Sequence, residues 1–247
     1  MLATSTFLRA LGLGAVLGLS ISTARGNLLI DTLDNHPGTG VPSQSSEAGS
    51  VASAPTAGTV LGTERDLRLI RNGGSGMIFA QAFNGTFTFM WGNIGADTDA
   101  TFELIYDGSD GDFSNVDFVG LRNGAAQGVN LTADGATGIL LSGLHLNVAA
   151  ASARNLRLTV WTDATHSSTR LLFPSNNTTQ DQTFFFSDLS GSADLTNIGA
   201  IRLSFMGTVG GSLQLDGIST VPEPATFALL LLSLPTLASR RRRAPGR

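Results

Sequence analysis

Asn155-Leu156-Arg157-Leu158-Thr159-Val160-Trp161 alternates without a break, with Leu156, Leu158 and Val160 on one side and Arg157 and Thr159 on the other. Successive strand residues point to opposite faces, so this stretch reads as a strand with Leu156, Leu158 and Val160 inward. The same period recurs outward along the chain. Ile201, Leu203 and Phe205 alternate with Arg202 and Ser204, and Leu67 and Leu69 oppose Arg68 and Ile70. Met77–Ala82 and Thr86–Trp91 flank Asn84-Gly85, a pair suited to the positive φ angles of a tight hairpin. Further strands are expected at Asn27–Leu33, Thr101–Tyr106, Val116–Val119, Gly128–Thr132, Gly138–Val148, Arg170–Phe173, Thr183–Ser187 and Ser212–Ile218. The body shows no helical period. Many short strands separated by turns about every 8–12 residues predict an all-β fold, a single β-sandwich or jelly roll.

Residues 27–220 form this expected domain, long enough for one substantial core. His36 to Thr59 holds Pro, Gly and Ser with few large apolar residues, and is expected to be an extended surface loop of the domain. No cysteine occurs, so packing must hold the fold and no thiolate can act as nucleophile or metal ligand. Every basic residue is Arg, and the body carries eight against eighteen acids, a net charge near −10. That balance disfavours nucleic acid and suits cations or neutral sugars.

The two ends differ from the body. Arg9 precedes an apolar run from Ala10 to Ile21, and Ser22-Thr23-Ala24 places small residues before a cleavage point. Residues 1–26 therefore read as a secretory signal peptide handled by the Sec machinery and signal peptidase. At the other end, Val221-Pro222-Glu223-Pro224 precedes a 14-residue uncharged run, Ala225–Ala238, and then Arg240-Arg241-Arg242-Arg243. Each proline fixes φ and lacks an amide donor, so no body strand is expected to continue through them. The apolar run spans roughly 21 Å as a helix, short of a core about 30 Å thick, and Pro235 would kink it. The arginines stay on the cytoplasmic side. A short membrane helix and an exported body follow.

This order closely resembles the PEP-CTERM sorting tail of Gram-negative bacteria, over residues 221–247 only. The resemblance implies recognition by an exosortase-like membrane protease, cleavage near Pro222-Glu223-Pro224, transient residence in the membrane, and association with exopolysaccharide at the cell surface or in the extracellular matrix. Leu61–Leu67, Tyr106–Gly111 and Asn197–Leu203 are also similar to phrases in the bodies of such proteins. Those bodies resemble galactose-binding-like sandwiches, a fold used to hold sugars or Ca²⁺.

Two constellations can carry binding chemistry. Asp107-Gly108-Ser109-Asp110-Gly111-Asp112, followed by Asn115 and Asp117, packs carboxylates into one turn. Calcium takes six to eight oxygen ligands, and Asp107, Ser109, Asp110 and Asp112 can supply several; the alternative is a solvated acidic turn. The stretch lacks the spacing and closing Glu of an EF-hand. Trp91 and Trp161 are the aromatic candidates for stacking a sugar, or else belong to the core. Glu64-Arg65-Asp66 reads as a surface ion-pair cluster, with Arg65 alternatively clamping the long loop. His36, His145 and His166 lack ligand spacing, and no nucleophile elbow, zinc-protease motif or phosphate-binding loop occurs. No catalytic residue is assigned. The expected protein is a secreted, non-enzymatic surface or matrix protein, with a carbohydrate- or Ca²⁺-binding module as the alternative and a hydrolase behind both.

Overall fold

A computed structural model describes residues 27–33, 49–53, 60–74, 76, 78–83, 85–91, 98–112, 115–122, 124–148 and 154–222. The leader, the tail from Glu223 onward, His36 and most of the long loop lie outside these residues. So do the sorting-motif residues Glu223, Pro224 and Arg240–Arg243. Among the described residues no helix is long and apolar enough to cross a membrane.

The described chain is nearly all strand. One seven-stranded sheet runs β1 (Leu29–Asp31), β14 (Gly217–Pro222), β7 (Ala136–Val148), β13 (Gly211–Leu215), β5 (Thr86–Trp91) and β4 (Ile78–Phe83), with β10 (Thr179–Phe185) on the other side of β7. The second runs β11 (Ser190–Gly191), β9 (Ser167–Leu172), β8 (Arg154–Trp161), β12 (Ala200–Gly207), β6 (Thr98–Tyr106), β3 (Arg65–Gly74) and β2 (Gly49–Ser53), also seven strands. All named pairings are antiparallel.

The alternating residues meet between the sheets in one core. Leu156, Leu158 and Val160 are buried there, as their period requires, with Leu203 and Phe205 of β12. Aromatic rings join the layers. Phe89 of β5 lies 4.8 Å from Phe102 of β6, and Trp91 lies 5.2 Å from Phe205 of β12. Such ring pairs contribute about 0.5–1.5 kcal/mol each beyond their burial, which suits a fold without cross-links.

The structure corrects several expectations. Val116–Val119 is not a strand; it leads into a single 3-10 turn, Gly120–Arg122. Gly128–Thr132 makes only an isolated bridge, Val129 with Ile198. Backbone bonds from Leu121 to the Gly199 carbonyl and from Leu131 to the Leu195 carbonyl, both at 2.9 Å, tie these segments to the approach to β12 instead. Gly49–Ser53, expected as loop, pairs with β3 as an edge strand. Ser212–Ile218 is two strands, β13 and β14, laid end to end along β7 and broken at Asp216. The break faces Gly143, where β7 bulges against β10; its φ of 62° suits glycine, and a Cβ there would meet the Asp216 carboxylate. The last strand does continue into the first proline of the tail. Val221 pairs with Gly138 and Pro222 with Ala136, because a proline that ends a strand forfeits only one donor.

Glu64-Arg65-Asp66 is not a surface cluster, since all three are buried. Arg65 shares the inward parity of Leu67 and ends up at the core's edge. Its Nη1 donates to both Asp31 oxygens at 2.9 and 2.8 Å, and the Tyr106 hydroxyl donates to Asp31 Oδ2 at 2.7 Å. The Leu33 amide donates to Asp31 Oδ1 at 2.7 Å. Arg65 thus clamps β1, the strand before the long loop. Burial and the neighbouring Asp31 charge push the Tyr106 hydroxyl well above its ordinary pKa, so it remains a donor.

Breaking a buried pair strands the remaining charge. Arg65→Met is expected to lower the unfolding free energy by about 3–5 kcal/mol and Tyr106→Phe by about 1–2 kcal/mol, read from urea melts. The double variant Asp31→Asn/Arg65→Met should recover part of the first loss, which independent effects would not.

Candidate metal centre

Next to Arg65, Asp66 must point the other way, onto the outer face of the second sheet. It pairs with Ile105, and Ile105 and Asp107 share that outer face on β6, so Asp66 and Asp107 come together across the β3–β6 ladder. The chain then turns at Gly108, whose φ is 102°, and folds back over both. The return is tight enough to exclude side chains. A Cβ on Gly120 would lie 1.5 Å from the Asp107 carbonyl oxygen, and one on Gly108 would lie 2.6 Å from that of Gly120.

Polar contacts fix the loop from within. The Asp117 amide donates to Asp107 Oδ2 at 2.8 Å, and the Val119 amide to Asp117 Oδ1 at 3.0 Å. The Asp112 amide donates to Asp110 Oδ1 at 2.9 Å, and the Gly111 amide to Glu64 Oε2 at 3.2 Å. Each of these carboxylates has a backbone donor. Asp66 does not: it is 1% exposed, neither of its oxygens accepts from an N–H, and its side-chain partner is the Asp107 carboxylate, to which it donates when protonated. What surrounds it is acidic. One oxygen from each of Asp66, Asp107 and Asp110 lies within 4.8 Å of the other two.

Like charges at that spacing repel by about 3–4 kcal/mol per pair at an effective dielectric near 20. A proton or a cation must relieve this. Burial first, then the charges of Asp107, Glu64 and Asp110, push the Asp66 carboxyl up to about 8. Burial raises Asp107 to about 6, against the lowering effect of the Asp117 amide. A hard divalent cation offers the other relief. Oxygens within 4.8 Å of one another fit the about 4.6–5.2 Å that spans a calcium coordination sphere. Beside the cluster, Asp107, Ser109, Asp110 and Asp117 line an open depression of about 260 Å³.

The sequence-derived candidates separate here. Asp107 and Asp110 are in the cluster and Ser109 lines the depression. Asp112 is exposed, and its Oδ2 accepts from Asn115 Nδ2 at 3.1 Å, away from the three-acid cluster. Asp66 is the residue local reading missed; its outward parity in an acidic tripeptide at a strand start was the available signal. Trp91 offers no sugar platform. It is 0% exposed, stacked on Phe89 at 5.0 Å, and Gly207 and Gly211 leave room for it. Trp161 does face out of its strand, but Phe118 roofs it at 5.6 Å and the Arg202 guanidinium sits 5.1 Å over its ring, leaving 9% exposed. His145 faces outward beside the Thr179 hydroxyl at 3.2 Å, and His166 contacts Asp163 at 2.9 Å.

No protein-family model matches this chain, and no curated protein matches it. Among solved structures, one reported as the solution structure, dynamics and binding studies of CtCBM11 is similar at 13% identity. That match has a TM-score of 0.40, spanning 83% of this chain and 99% of that one. The structure of PfGH50B is similar at 10% identity with a TM-score of 0.38, over 64% of this chain and 23% of that one. Both likenesses are distant.

The raised Asp66 value sets a pH dependence. A carboxyl at 3.8 in the unfolded chain and about 8 in the fold keeps its proton only when folded, so raising the pH through that window removes stability. With chelator present, the melting temperature is expected to fall steadily from about pH 5 to about pH 8. Asp66→Asn should flatten that slope; an unchanged slope would remove Asp66 from its cause.

Proposed function

We propose that this chain is an exported, non-enzymatic β-sandwich of the cell surface or extracellular matrix that holds a calcium ion at Asp66, Asp107 and Asp110. The observation that carries the reading is Asp66, a buried carboxyl that no N–H reaches, grouped with two other carboxyls within 4.8 Å. All-oxygen ligands on a strand pair and a loop suit calcium better than a metal preferring nitrogen or sulfur. The two facing antiparallel sheets support a jelly-roll, galactose-binding-like reading of the body.

Export and sorting rest on the ends of the sequence. The leader at residues 1–26 sends the acidic body out through the Sec machinery. The tail at residues 221–247 holds it briefly in the inner membrane for an exosortase-like protease, which releases it to an exopolysaccharide matrix. Here β14 supports a close coupling, because its last pair, Pro222 with Ala136, already belongs to the sorting motif.

Two measurements test these parts. At a calcium concentration about 100 times Kd, binding adds about 2.7 kcal/mol, which in a body of this size raises the melting temperature by about 5–10 °C. Asp66→Asn should abolish the shift without lowering the calcium-free melting temperature, and a wild-type curve indifferent to calcium would refute the cation site. Mass spectrometry of the mature protein should find a new C-terminus near Pro222–Pro224 in wild-type cells and an intact one in exosortase-deleted cells. Retention of Arg240–Arg243 in wild type would end the sorting proposal.

A further inference from the structure

The cluster is closed on one side and open on the other. Asp66 and Asp107 are buried, whereas Asp110 is exposed together with Ser109, Gly111 and Asp112. At the rim, a Cβ on Gly124 would find nothing within 4 Å, and Val119 is 42% exposed. Asp107 and Asp110 both line the depression, so a cation held between them faces solvent there.

Its coordination shell is also incomplete. Calcium takes six to eight oxygens. One oxygen from each clustered carboxylate leaves at least three positions, and the depression opens beside Asp107 and Asp110. At about 260 Å³ the depression is smaller than the roughly 300–1,000 Å³ of pockets that enclose a small molecule. It accepts the edge of a larger ligand instead.

Charge selects what that edge can be. Asp117 lines the depression with Asp107 and Asp110, and Glu64 accepts from the Gly111 amide of the same loop. One divalent cation among so many carboxylates leaves the site negative, so an anionic ligand is repelled. Two adjacent hydroxyls of a neutral sugar bring two oxygens at a spacing one cation can accept and bring no charge.

We infer that the calcium held by Asp66, Asp107 and Asp110 is itself the contact for carbohydrate, taking a vicinal diol of a neutral polysaccharide through its open side. This rests on the cation reading above. Binding then depends on the metal, and the rim residue Val119 governs access without touching the carboxylates that hold it.

Affinity electrophoresis of the purified full-length chain in gels containing galactomannan tests this, with polygalacturonate gels alongside and calcium melting curves on the same samples. The expected result is retardation by galactomannan with calcium, none with chelator, and none by polygalacturonate. Asp66→Asn should lose both the melting shift and the retardation. Val119→Phe, which narrows the mouth, should keep the melting shift and weaken retardation by about tenfold. A calcium shift without retardation overturns the diol inference and leaves the cation site standing, whereas loss of the shift in wild type overturns both. Retardation that survives chelator, equal retardation by polygalacturonate, or full retardation in Val119→Phe each overturns the inference.

Discussion

Neighbouring residues of an extended strand cannot look the same way, and at the start of β3 that rule sets two opposite charges to two opposite tasks. Arg65 turns in, where Asp31 and the Tyr106 hydroxyl meet it, and the first strand is tied to the core's edge. Asp66 turns out, beneath a loop whose backbone is already occupied with other carboxylates. The inward group is neutralised by its partners, whereas the outward group is surrounded by its own kind. A one-residue slip of β3 would exchange these environments, burying Asp66 at the clamp and sending Arg65 among the acids. The register of one ladder therefore holds the fold and the candidate site together.

How much of this could be read from the residues depended on the distance over which each signal acts. Strand periods are local, so Asn155–Trp161 and Ala200–Phe205 were legible and pair as neighbours in the second sheet. The acidic turn after Tyr106 was legible for the same reason. Asp66 was not, because it reaches Asp107 only through pairing of β3 with β6, and pairing partners leave no mark on either strand. The tryptophans show the limit from the other side. Trp91 and Trp161 both end alternating strands, yet one is enclosed by Phe89 and Phe205 and the other roofed by Phe118. Val116–Val119 and Gly128–Thr132 had strand-like residues without a sheet edge to join, whereas Gly49–Ser53 had few apolar residues and an open edge at β3.

Glycine makes the site possible by subtraction. Gly108 and Gly120 stack backbone against backbone where a methyl group could not fit. The loop thereby lies close against Asp107, while Asp110 stays exposed at its turn. The clamp has the reverse character. Every oxygen of Asp31 is engaged, and the site has no free valence to offer a ligand.

Pairing of β1 with β14 has a mechanical corollary. Leu28 and Thr220 exchange contacts where the two strands meet, so the polypeptide enters and leaves the sandwich side by side at the same end. Tension between those two exits peels the strands apart one hydrogen bond at a time instead of shearing several together. The third residue into that zipper is Asp31, gripped by Arg65. A load drawn between the two exits therefore meets the Asp31–Arg65 clamp before it reaches the aromatic interior.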